Sequence, residues 1–130
     1  MLALPGCGAL SAAKILGEAA GASRFKSKAA FARWNGTAPI PVWSGSTNFR
    51  LNRGGNGQEN TALHRIAVTQ ARGIGAGRDY LDARTSRGDS KKEALRMLRR
   101  RLSDEVFRRL LSDEKVTCST TSADDIPLAA

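Results

Sequence analysis

Leu95, Leu98, Leu102, Val106 and Leu110 recur at intervals of three and four residues, the strongest periodic signal in the chain. The spacing predicts one long amphipathic helix, about Lys91 to Leu111, opened by the capping box Ser90-Lys91-Lys92-Glu93. An apolar stripe of that length has to be covered, and the other periodic stretches of the chain are also helical. Aromatic residues are only 5% of the sequence, so the core must be built from Leu, Ile, Val and Ala. The expected fold is therefore mainly α: a small domain of four or five helices with at most one short β-hairpin or irregular loop.

The opposite face of the same helix carries Lys91, Lys92, Arg96, Arg99, Arg100, Arg101, Arg108 and Arg109. This single-sign face belongs to a wider imbalance. The 130 residues hold 21 Lys and Arg against 12 acids, a net charge of +9. From Ser112 onward there is one base, Lys115, against Asp113, Glu114, Asp124 and Asp125, so the body of the chain is more basic still. A body this basic favours a polyanionic partner, most often nucleic acid. Cys7 and Cys118 have no metal-ligand spacing and form no disulfide framework, and His64 is the only histidine, which excludes a His-rich zinc site. No apolar run is long enough to cross a membrane, and the short Met1–Pro5 start lacks the basic region of a signal peptide. A reducing, cytoplasmic setting is expected.

In chain order, Pro5-Gly6-Cys7-Gly8 is a tight turn before a helix from about Ala9 to Ala20, with Leu10, Ala13, Ile15 and Leu16 on its apolar face and Gly21 as terminator. Such a turn leaves backbone N–H groups of Gly6 and Gly8 near a helix N-terminus, where a DNA phosphate can bind without sequence being read. The alternative is a plain loop–helix junction. Ser27 caps a short helix to Trp34, and Phe25, Phe31 and Trp34 are read as core. Asn56 and Glu59 form a capping box for a helix reaching about Arg72, with Leu63, Ile66, Ala67 and Gln70 on one face and His64 half-buried beside it. Gly73 to Gly77 is a flexible connector, followed by a short helix from Arg78 to Ser86. Residues 1–114 are expected to form the domain and 115–130 a disordered tail.

Between the helices lies VWSGSTNFRLNRGGNGQ, Val42 to Gln58, which has no helical period. Val42-Trp43 and Phe49-Arg50-Leu51 are expected to pair as short strands around Ser44 to Asn48. The stretch offers the hydroxyls of Ser44, Ser46 and Thr47, the cations Arg50 and Arg53, and the run Gly54-Gly55-Asn56-Gly57. Hydroxyls, cations and flexible backbone on a helical scaffold suit phosphate chemistry. A polar surface hairpin is the alternative.

Four stretches in order carry a resemblance: PGCGALSAAKILGE, RFKSKAAFARWNGTAPIPVWSG, LNRGGNGQENTALHRIAVTQAR and SRGDSKKEALRMLRRRLSDEVFRRLL. Together they resemble the C-terminal transposase domain of a bacterial insertion-sequence family whose members pair it with an N-terminal RuvC-like DEDD domain, the bridge-RNA-guided recombinases. The glycine turn resembles part of a helix-hairpin-helix unit. The resemblance implies a function in DNA strand exchange. Ser44 of Ser44-Gly45 would be the nucleophile, with Ser46 as fallback, forming a covalent phosphoserine link to DNA. It implies nucleic-acid contacts at Arg50, Arg53, Gly55 and Asn56; the glycine turn and the basic helix face read above add Gly6, Gly8, Lys91, Lys92, Arg96, Arg99 and Arg100. DNA, a guide RNA and further copies of the full-length protein would be its partners.

The chain departs from the pattern. No cluster of four acids occurs in it, so no cofactor is expected on this chain, and Mg2+ only together with the DEDD domain. Asn48-Phe49 stands where an Arg and a His are usual, and Gly57-Gln58-Glu59 where Arg-Gln-Leu is usual. The sequence therefore reads as a truncated C-terminal part that binds nucleic acid and is inactive alone. The alternative is a non-enzymatic basic DNA-binding module, or a decayed fragment.

Overall fold

The structure, a computed structural model, describes residues 4–38, 40–43, 47–50, 54–73 and 75–125, with side chains described for all of these except 40–43, 47–50 and 117–125. Five helices and one hairpin follow in order: α1 (Ala9–Ala19), α2 (Lys28–Asn35), β1 (Ile40–Trp43), β2 (Thr47–Arg50), α3 (Gly57–Arg72), α4 (Ala76–Ser86) and α5 (Lys91–Asp125), with a 3-10 turn at Ala22–Arg24. The mainly α architecture with a long C-terminal helix agrees with the sequence pattern.

Local chemistry sets most boundaries. Ser27 Oγ accepts the Ala30 N–H at 3.2 Å to open α2, and Gly36 closes it in the left-handed region at φ 82°. The Ser90–Glu93 box is reciprocal: Ser90 Oγ accepts from Glu93 N–H at 3.2 Å, and the Glu93 carboxylate accepts from Ser90 N–H at 3.0 Å. α1 packs on α3, and both α2 and α3 pack on α5, with α4 lying against α3 and α5. Ile15 and Ala19 from α1, Leu63, Ile66 and Ala67 from α3, and Leu98, Leu102, Val106 and Leu110 from α5 meet in one core. Each buried Leu, Ile or Val adds about 1.5–3 kcal/mol relative to exposure. Phe31 is fully buried and lies 5.5 Å from Phe107 and 5.1 Å from Phe25, centroid to centroid, so the aromatic residues read as core do form a cluster. Glu114 on α5 accepts the N–H groups of Ala22 and Ser23, tying the 3-10 turn to the long helix.

Several expectations are corrected. α1 buries Ile15 as expected, together with Ala12 and Ala19, whereas Leu10 is 84% exposed and Leu16 49%, so the buried face is rotated away from the two leucines. Ala20, at φ 49°, ends this helix instead of Gly21. His64 is exposed, because Leu63, Ile66 and Ala67 already fill the contact face of α3. α5 does not stop at Leu111. Its backbone is helical through Asp125. Ser, Thr and Asp each cost only tenths of a kcal/mol in a helix, and the first breaking residue after Leu111 is Pro127.

The hairpin differs in register. Ile40 pairs with Arg50, Pro41 with Phe49, Val42 with Asn48 and Trp43 with Thr47, so residues 44–46 alone connect the strands. Its root is clamped on the helices. Asn56 N–H donates to the Trp34 carbonyl at 2.6 Å. A Cβ on Gly55 would lie 2.5 Å from the Gly36 nitrogen and 2.9 Å from the Asn35 carbonyl carbon. The excursion between α2 and α3 therefore leaves and returns through one backbone-on-backbone contact. Beneath it, Asn35 is fully buried: its Nδ2 donates to Ser103 Oγ on α5 at 2.9 Å, and its Oδ1 accepts Thr37 N–H at 3.0 Å and Thr37 Oγ1–H at 2.7 Å.

Glu59 breaks the expected capping box. Asn56 Oδ1 accepts the Glu59 N–H at 2.9 Å, but the Glu59 carboxyl does not reach back. It points into the core, fully buried, with both oxygens unpartnered. Burial, and secondarily the charge of Glu18, push its pKa to about 8 from 4.5.

Two stability measurements follow. Between pH 4.5 and about 8 the folded chain holds a Glu59 proton that the unfolded chain has lost, so stability is full below that window and falls as pH rises through it. Glu59→Gln should match the parent at pH 4 and exceed it at pH 9 by on the order of a few kcal/mol, read by urea unfolding. Equal pH slopes in the two proteins would refute this. Gly55→Ala should destabilise by about 1–3 kcal/mol through overpacking. Gly57→Ala, with open space around its Cβ, should not destabilise.

Candidate nucleic-acid interface

The residues singled out in the sequence fall into three groups. Ser44, Ser46 and Arg53 lie outside the described residues. Arg50 ends β2, and its backbone pairs with Ile40. Gly55 and Asn56 form the hairpin root: Gly55 is pressed onto Gly36, and the polar groups of Asn56 are engaged within the protein. Besides the two bonds described, Asn56 Nδ2 donates to Glu18 on α1 at 3.0 Å. The glycine-asparagine turn thus joins α1, α2 and α3 beneath the hairpin.

Gly6 and Gly8 form the second group. Gly6 sits at φ 83°, and a Cβ there would lie 3.1 Å from the Ile66 carbonyl, so the turn is pressed onto α3. The Cys7 thiol between them is buried, and burial raises its pKa. Gly8 is the N-cap of α1 without a side-chain cap, and a Cβ at Gly8 would meet nothing within 4 Å. Ala12 N–H is the first to bond within the helix, to Gly8 O at 2.9 Å. The amides of Ala9 and Leu10, both exposed residues, lie in the first turn, where N–H groups have no partner inside the helix. The geometry leaves donors of the kind a phosphate oxygen uses.

The third group is the basic face of α5, which the structure divides. Arg100 pairs with Asp104, Arg108 and Arg109 with Glu105, and the Arg101 guanidinium lies 4.5 Å from the Tyr80 ring centroid. These cations are partly neutralised or occupied in packing. Lys91, Lys92 and Arg96 are exposed and have no hydrogen-bond or ion-pair partner among the described residues. Lys91 and Lys92 stand in the first turn of α5, where the helix dipole is already positive and cations are unfavourable. Ser90 holds the Glu93 carboxyl below the usual carboxylate range, so one negative charge remains there. The positive potential of α5 is thus concentrated in its N-terminal third.

Arg99 is different again. It is half-buried, and its Nη1 donates to Asn60 Oδ1 on α3 at 2.9 Å, while its Nε is shielded from solvent and has no partner. Burial, with the neighbouring Arg96 charge, lowers its pKa. Arg96, Arg99 and Gly36–Ala38 line one cavity of about 400 Å³. The first residues of the hairpin excursion therefore share a cavity with three cations of α5, Arg96, Arg99 and the Asp104-paired Arg100. The sequence marked Arg96 and Arg99 by charge alone. It did not reveal that Thr37 and Ala38 would face them, because that contact depends on how α2 packs on α5.

Among the described residues, no group of three or more His, Cys, Asp or Glu could hold a metal ion. Glu18 and Glu59 make a pair only, and Glu59 is sealed in the core and kept neutral at pH 7. The chain's own described side chains do not fit a Mg2+ site. Among the described residues, no helix is long and apolar enough to cross a membrane.

A family model described as "Transposase IS116/IS110/IS902 family" matches residues 1–82. The match takes in the glycine turn, α1, α2, the hairpin and α3, and ends inside α4. No curated protein matches the chain. With well over half of its length matched, from the Gly6–Gly8 turn through the clamped hairpin, the chain belongs to the IS116/IS110/IS902 family of insertion-sequence transposases.

Proposed function

We propose that this chain is the DNA-handling, serine-bearing part of a transposase, acting in the cytoplasm on insertion-sequence DNA. The reading is supported above all by one observation: the root of the hairpin that carries Ser44-Gly45 shares a cavity with Arg96 and Arg99, on the helix whose first turn holds Lys91 and Lys92. A strand of DNA laid along the first turns of α5 would bring its phosphates to the hairpin. The amides at Gly8–Leu10 would give a second backbone contact that reads no sequence.

In this reading Ser44 Oγ attacks a phosphodiester. The Oγ–P bond forms as the bond from phosphorus to one sugar oxygen breaks. The serine loses its proton, and the leaving sugar oxygen gains one. One phosphodiester replaces another, so no external energy source is needed, and the link can be reversed onto a second DNA end. Serine needs a base or a metal to become a competent nucleophile. The described residues supply no complete metal site, so no step is assigned to a metal on this chain. Activation belongs to the DEDD domain of the family pattern, and the chain alone binds without cutting. Ser46 is the alternative nucleophile. A guide RNA and self-association remain part of the proposal through family resemblance.

Two experiments test it. Binding of the purified chain to duplex DNA, followed by fluorescence anisotropy, should weaken about a thousandfold or more between 50 and 200 mM salt if six or more phosphates are contacted. A salt-independent affinity would count against phosphate tracking. With a DEDD domain supplied in trans, a covalent protein–DNA adduct should form with the parent chain and with Ser46→Ala. It should vanish with Ser44→Ala, whose DNA affinity stays unchanged. An adduct that survives Ser44→Ala would remove Ser44 from the chemistry.

A further inference from the structure

We propose that the cavity between the hairpin root and α5 is a discrete phosphate subsite, built to hold one backbone phosphodiester of a nucleic-acid strand on Arg96 and Arg99. The proposal rests on the DNA-handling reading above and specifies where a strand is gripped.

The cavity holds about 400 Å³, enough for a phosphate and parts of its flanking sugars, and it opens between Gly36–Ala38 and the first three turns of α5. Four guanidinium groups line it, from Arg84, Arg96, Arg99 and Arg100, against two carboxylates, Asp89 and Glu93. Most of these charges are already committed. Arg84 Nε lies 2.6 Å from Asp89, Arg100 pairs with Asp104, and Glu93 accepts the Ser90 N–H. Arg96 and Arg99 make no direct ion pair among the described residues; Glu93 feels the Arg96 charge without contacting it, and its carboxylate is held by Ser90.

Two adjacent cations facing one cavity, one of them half-buried, form an unfavourable arrangement unless an anion joins them. Arg99 is the more telling of the two. Its Nη1 is fixed by Asn60, which orients the guanidinium plane, and its shielded Nε–H has nothing to donate to. A buried donor left without an acceptor loses its water bond and gains nothing in return. A phosphate oxygen accepting from Arg99 Nε–H, with Arg96 on the same anion, would relieve both the missing bond and the repulsion. Guanidinium suits this geometry because its donors lie in one plane and match two phosphate oxygens. Thr37 is poorly placed to compete, since its hydroxyl donates to Asn35 Oδ1 at 2.7 Å. Of the three α5 cations that line this cavity, Arg100 is held by Asp104, while Arg96 and Arg99 make no ion pair; Arg108 and Arg109, more than two turns beyond it, are held by Glu105.

The test follows arginine side-chain Nε–H signals by NMR in the full chain, first with inorganic phosphate and then with a single-stranded hexadeoxynucleotide. The Arg96 and Arg99 signals should shift with both probes, and that of Arg108 should not. Arg96→Gln and Arg99→Gln should each weaken oligonucleotide binding about tenfold, with Arg108→Gln within about twofold of the parent. Arg96 is exposed, so Arg96→Gln serves as the folded variant if loss of the Asn60 bond unfolds Arg99→Gln. If the oligonucleotide binds while Arg96 and Arg99 stay silent and Arg96→Gln binds like the parent, the subsite is wrong and the DNA-handling reading stands. If phosphate shifts Arg99 but no oligonucleotide binds, the cavity takes a free anion only, and both readings of it as a nucleic-acid site are overturned.

Discussion

The hairpin is held by a contact between bare backbones. Asn56 N–H donates to the Trp34 carbonyl, and Gly55 lies so close to Gly36 that no side chain fits between them. The placing of the hairpin on the helices depends on this clamp. A two-stranded hairpin is marginal by itself in water, and here its two ends are fixed where α2 stops and α3 starts. Asn35, bonded to Ser103, ties that junction to α5, and Asn56, bonded to Glu18, ties it to α1. Four helices thus converge beneath one short loop, which is how a small domain can present a reactive group on a rigid base.

The same junction carries an electrostatic cost. Glu59 is buried without a hydrogen-bond partner, and Arg99 is half-buried with an unmade donor. A fold selected for stability alone would replace both by apolar residues of similar volume. Their position at the hairpin root, and not elsewhere in the core, is consistent with a site where polarity is retained for function. The distribution of positive charge agrees. Carboxylates one turn away neutralise the cations in the middle of α5, while its first two turns keep theirs against the helix dipole.

Much of the fold was legible in the sequence because it is written in local terms. The Leu95–Leu110 stripe, the Ser90–Glu93 box and the Ser27 cap each act within a turn or two, and the structure agrees with all of them. What failed was tertiary in origin. Leu10 and Leu16 look like core residues until the packing of α1 on α3 shows that Ala12, Ile15 and Ala19 face inward. Glu59 fits a capping box by spacing, yet the core beneath α3 claims its side chain. The end of α5 was misread because polar composition was taken as a stop signal when no breaker was present. The candidate site was legible as a list of charges, and its division into occupied and unoccupied arginines was not, since that depends on the carboxylates α5 presents to itself. Ser44 and Arg53, the residues nearest the proposed chemistry, rest on motif resemblance.

The central claim is that nucleic acid meets this domain at the hairpin root and the N-terminal third of α5. Backbone amide chemical shifts of the full chain, recorded with and without a short DNA duplex at low salt, test it most directly. The account predicts perturbations confined to the Gly8–Leu10 turn, the hairpin with its Gly36–Ala38 root, and Lys91–Arg100, with the stretch from Asp104 to Val116 unmoved. Perturbations centred on Asp104 to Val116, with the hairpin root silent, would contradict it.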